Sequence, residues 1–86
     1  MNWNDAAEDL LNAILARTPR PDRERAEENL RETAEFMAEE QGLARVGVET
    51  FIAAWVRSTP GAIRPDLPRQ METLGLDPNE YSHLFE

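Results

Sequence analysis

The chain has 86 residues, with nine Arg, no Lys and seventeen Asp plus Glu, and so a formal net charge of −8 at pH 7. A chain this short forms one domain that buries roughly 60 to 65% of its unfolded surface, which leaves little room for a large enclosed active site. Having no Cys excludes disulfides, thiolate metal sites and thiol nucleophiles; having no Lys excludes Schiff-base chemistry; and the acid excess repels phosphate backbones and anionic lipid.

No apolar run approaches the ~18 to 20 residues needed to span a bilayer. The N-terminal MNWNDAAEDLL carries acids where a signal peptide carries bases. The expectation is a soluble, cytoplasmic protein.

Trp3 to Arg17 reads as the first helix. Asn4 or Asp5 can cap its start, Asp5, Glu8 and Asp9 suit the positive end of the dipole, and Arg17 suits the negative end. Trp3, Ala7, Leu10, Leu11, Ile14 and Leu15 recur at helical period and make its buried face. Thr18-Pro19-Arg20-Pro21-Asp22 then breaks the helix, because each proline disfavours helix in the residue before it and removes a donor. Asp22 is the expected N-cap of a second helix, Arg23 to Gln41, with an apolar seam of Ala26, Leu30, Thr33, Ala34 and Met37. Phe36 lies about a hundred degrees off that seam and is expected to pack against the C-terminal tail. Between Asp22 and Glu40 stand eight acids and three Arg.

Gly42 is expected to close the second helix, since glycine takes positive φ freely. A short connector leads to a third helix, Val48 to Arg57, with the stripe Val48, Phe51, Ile52, Trp55 and Val56. The two stripes must face each other across an αα-corner. Ser58-Thr59-Pro60-Gly61 is a stop signal. Ala62 to Pro68 is expected to be extended and pinned by Ile63 and Leu67. A short helix, Arg69 to Leu74, ends at Gly75. Asp77, Pro78 and Glu80 then form a helix-start signal before a terminal apolar turn of Tyr81, Leu84 and Phe85. The predicted fold is all-α: three main helices over residues 1–57, with a short helical extension over residues 58–86 packing on them as one domain.

A family resemblance sits on the corner. The pattern A-E-x-x-A-x-x-x-G at Ala34, Glu35, Ala38 and Gly42, followed by Arg45, Val46, Val48, Glu49, Ala53 and Ala54, resembles the small helical domain at the C-terminus of the B subunit of light-independent (dark-operative) protochlorophyllide reductase. That domain also occurs as a short free-standing protein. Upstream, Trp3, Ala6, Leu10 and Leu11 match its usual opening of a Trp, an Ala and a Leu-rich helix. The similarity covers Trp3 to Ala54. The family commonly has Thr where this chain has Gly47, and is basic on the helix that is acidic here. The iron-sulfur and substrate chemistry of such a reductase lies outside this domain, so the resemblance implies a pathway neighbourhood and not an activity.

Chemistry-bearing residues are few. Glu28, Glu32, Glu35 and Glu39 are spaced four, three and four along one helix face. That invites a carboxylate metal site, but helical di-iron sites also draw His from neighbouring helices. No His stands on the three main helices, and a solvated face is the plainer reading. His83, the single His, has no adjacent nucleophile or second ligand and reads as a surface residue. Ala38, Gly42, Val48 and Phe51 have the spacing of a helix-turn-helix corner. The would-be recognition helix offers Glu49 and Thr50 with Arg45 as the one nearby base, which argues against DNA. Trp3 and Trp55 read as core.

The expected function is therefore a non-catalytic accessory domain that binds a larger protein through a basic or apolar patch on that partner, in tetrapyrrole or photosynthetic metabolism. No nucleic acid, membrane, cofactor or metal is expected. Candidate partner-binding residues are Glu28, Glu35 and Glu39 on the acidic helix, Arg45 in the connector, and Tyr81, Leu84 and Phe85 in the tail. The rival readings are a degenerate helix-turn-helix regulator and, more weakly, a metal-handling helical protein.

Overall fold

A computed structural model describes residues 2–85, with side chains through residue 84. The fold is all-α. Its helices are α1 (Asp5–Arg17), α2 (Arg20–Glu40), α3 (Val48–Ser58) and α4 (Leu67–Thr73), with 3-10 turns at Arg64–Asp66 and Pro78–Phe85. Two short strands, β1 (Asn2–Trp3) and β2 (Arg45–Val46), form a parallel bridge that pairs Asn2 with Arg45 and Trp3 with Val46. No helix among the described residues is long and apolar enough to cross a membrane.

Proline position accounts for two departures from expectation. Helix α2 begins at Arg20 rather than Arg23, because Pro21 falls in its first turn, where a missing N–H loses no helical bond. Asp22 is therefore not the cap: it lies inside the first turn, where its charge suits the dipole, and its N–H donates to the Pro19 carbonyl at 3.0 Å. Only Thr18 and Pro19 separate α1 from α2. Likewise Ala62 to Pro68 is not extended. Pro65 and Pro68 again occupy first turns, so this stretch becomes a 3-10 turn running into α4, two residues ahead of the expected helix start.

Both helix stops expected at glycine are present. Gly42 has φ 72° and Gly75 has φ 84°. At the first, the Leu43 N–H donates to Ala38 O at 2.9 Å and the Gly42 N–H to Glu39 O at 3.1 Å; at the second, Leu76 donates to Met71 O at 2.8 Å and Gly75 to Glu72 O at 3.0 Å. This paired pattern satisfies carbonyls that a helix end otherwise leaves open.

The core is built around α3, which buries Thr50, Phe51, Ile52, Ala54, Trp55 and Val56. Around it lie Ala7, Leu11 and Leu15 of α1, Leu30, Ala34 and Ala38 of α2, Val46 of β2, and Leu67 and Met71 of α4. Ala34 and Ala38 are fully buried, so beyond Leu30 the seam of α2 presents small side chains that let α3 approach closely. Met37 and Ile14, expected inside, pack at its edge. Trp3 is not helical: its backbone pairs with Val46 while its ring packs against Phe51, with centroids 5.9 Å apart. Phe36 does not pack against the tail. It is 54% exposed, because the tail docks on α3 instead of reaching the outer side of α2.

Candidate functional site

Two places on the molecule concentrate charge. The first is a joint where β1 and α1 meet α2. The Trp3 Nε1–H donates to Glu35 Oε2 at 2.9 Å, and the Arg31 guanidinium lies over the Trp3 ring, 5.1 Å from its centroid. Arg31 in turn reaches Glu8 Oε1 at 3.1 Å and Glu27 Oε2 at 3.0 Å. Burial works to lower the Arg31 pKa, but the hydrogen bonds and charges of Glu8 and Glu27 outweigh it, so its pKa is raised above the usual Arg value. These pairs are half-exposed, so each contributes about 1 kcal/mol or less. The joint fastens elements and leaves Glu35 engaged internally, which sets it apart from the other acids proposed for partner binding.

The second place is an open groove of about 900 Å³ between the N-terminal half of α2 and the turn after α3. Ala26, Pro60 and Ile63 supply its apolar lining, and Asp22, Glu28 and Glu32 stand on its rim with Arg25 as the one base. Among the described residues none of these four charged side chains forms an ion pair. Ile63 is 46% exposed. Its other side faces a second concavity of about 430 Å³, lined by Ile14, Trp55, Leu74 and Arg17, and Thr18 is likewise shared by both. An acidic trough and an apolar hollow therefore meet at Ile63.

The remaining candidate residues are dispersed. Glu39 is exposed eleven residues beyond Glu28, roughly 16 Å along the helix. Arg45 is exposed on the β-bridge. Tyr81 and Leu84 are partly buried and pack against the core, while the side chain of Phe85 lies outside the described residues. His83 is exposed, with Nε2 3.3 Å from Glu49 Oε1. Among the described residues, no three acidic or imidazole side chains gather where they could hold a metal ion, because Glu35 turns to Trp3 while Glu28 and Glu32 face the groove.

Of the partner-binding candidates the groove includes Glu28 alone, and the groove itself has no signature in the sequence. Pro60 was legible as part of a turn, and of the two expected pinning residues Leu67 is buried while Ile63 is 46% exposed. That this turn comes to rest against α2, far away along the chain, leaves no local signal. No protein-family model, curated protein or solved structure matches the chain.

Proposed function

We propose that this protein is a non-catalytic accessory domain that acts by docking on a larger protein partner. The observation that carries the reading is the groove beside Ile63: an apolar floor open to solvent, rimmed by carboxylates that form no ion pair among the described residues. Such a rim suits a partner's cations and such a floor its apolar side chains. The proposed setting is tetrapyrrole or photosynthetic metabolism, supported by the resemblance to the protochlorophyllide reductase domain. Several residues that carry that resemblance are structural: Ala34, Ala38 and Ala54 are buried and Gly42 holds positive φ. Such positions serve the packing of a helical corner, and the activity is left to the partner. A Cys-free chain suits the cytoplasm, the compartment we propose.

The helix-turn-helix reading is the weaker one. Helix α3 would have to enter a major groove, yet it is the central helix and buries six of its eleven residues. The purified, metal-analysed protein is expected to convert no protochlorophyllide above a protein-free control. A photo-crosslinker placed at residue 63 is expected to capture one recurrent larger protein from native extract. Unaided conversion of the pigment would overturn the proposal. A duplex DNA shift below ~1 μM with steep inverse salt dependence would favour the regulator instead.

A further inference from the structure

We infer that the groove takes a basic, amphipathic segment of the partner, with one large apolar side chain seated beside Ile63 and Arg or Lys residues set against Asp22, Glu28 and Glu32. This inference rests on the docking reading and names the chemistry of what docks. The charge balance selects the occupant. Three carboxylates face one guanidinium on the rim, and the whole chain carries −8. A phosphate backbone or an anionic bilayer is repelled by that surface. A second copy of this chain would bring the same excess of acid to the interface.

The rim also has a register. Along α2, Glu28 lies six residues from Asp22 and Glu32 four residues further, so the carboxylates are spaced roughly 9 and 6 Å along the axis, with Arg25 midway in the longer gap. The matching segment carries bases opposite the carboxylates and a neutral or acidic residue opposite Arg25, because like charges held together penalise the wrong register. The adjoining hollow, which shares Ile63 with the groove and is lined by Ile14, Trp55, Leu74 and Arg17, gives the apolar side chain somewhere to be buried.

The test is selection from a displayed library of random peptides roughly twelve residues long, using the full-length protein as bait, followed by calorimetry on the synthetic peptides that survive. Selected peptides are expected to be net positive and to contain an aliphatic or aromatic residue between bases. Glu28→Arg combined with Glu32→Arg should weaken them about tenfold or more, and raising salt from about 50 to about 300 mM should weaken binding to the native protein severalfold. Arg25→Glu should tighten it about threefold, since it replaces the groove's one basic side chain by an acid. Ile63→Ala should weaken it about fivefold, mainly through faster dissociation. All four positions are exposed, and circular dichroism of each variant checks that the fold is kept. Acidic or neutral peptides, or groove variants within about twofold of native, would overturn the assignment. If affinity is instead lost on Leu84→Ala, the groove falls while docking stands. If no peptide is selected and the residue-63 crosslinker captures nothing, both fall.

Discussion

Phe51→Ala is expected to lower the unfolding free energy by about 3 to 5 kcal/mol, the usual cost of emptying a buried aromatic site. Phe51 is fully buried on α3 and is the residue on which the Trp3 ring leans. Its removal opens a void at the centre of the core and takes away the ring against which Trp3 packs. A domain of this length has a total stability of roughly 4 to 13 kcal/mol at about 0.05 to 0.15 kcal/mol per residue, so the variant should be partly unfolded in dilute buffer if the protein lies near the lower bound. Urea titration followed by far-ultraviolet circular dichroism reads this directly. Phe36→Ala is the matched control: the same side chain removed from an exposed place on α2 should change stability by less than about 0.5 kcal/mol. Equal midpoints for the two variants would mean that the core has been misplaced.

Ending the chain after Ser58 should abolish cooperative unfolding, although the three main helices would all be retained. The final segment places Leu67 and Met71 fully inside the core and packs Leu74, Leu76, Tyr81 and Leu84 against that core. Burying Leu67 and Met71 alone contributes about 3 to 6 kcal/mol, comparable with the lower bound of the whole domain's stability. Without them one flank of the core faces water, and the fragment should bind a hydrophobic dye and melt without a sharp transition. A fragment of residues 1–58 that unfolds with the native midpoint would show instead that α4 and the terminal turn are an appendage.

The three long helices were legible because each repeats apolar residues over more than two turns, and the two positive-φ glycines were legible because nothing else closes a helix as easily. Proline was harder to read. The same residue that stops a helix from within starts one from its first turn, and for Pro21, Pro65 and Pro68 the outcome depended on where the next helix found its packing partner. Phe36 was misassigned for a related reason. Periodicity says which residues share a face, and the facing element is chosen by tertiary packing. The β1–β2 bridge is two residues long on each side, below the length at which alternation can be seen, and Val46 therefore read as a connector although it is fully buried. At Gly47 an added Cβ would stand 3.4 Å from Asn4 Nδ2, an ordinary contact, so the fold does not demand glycine there. Of the partner-binding candidates, Glu28 reached an open groove. Glu35 is tied to Trp3, while Tyr81 and Leu84 took up packing roles that an apolar tail and an unpartnered surface advertise equally well.

The bridge between the first residues and the connector also sets an order of events. Trp3 and Val46 lie at opposite ends of a span that includes all of α1 and α2, and closing so long a flexible loop by itself costs roughly 3 kcal/mol of chain entropy. Two backbone pairs cannot offset that, so β1 attaches only once α1, α2 and α3 have already drawn the ends together. A change that weakens this attachment, such as Trp3→Phe, which deletes the bond to Glu35, should therefore leave the refolding rate almost untouched and appear in the unfolding rate. Stopped-flow measurement of both limbs separates the two, and a refolding rate that falls in step with stability would place Trp3 in the nucleus. If the order holds, the N-terminal strand is a clasp on the finished fold: it governs how long the protein stays folded and has no part in how quickly it folds.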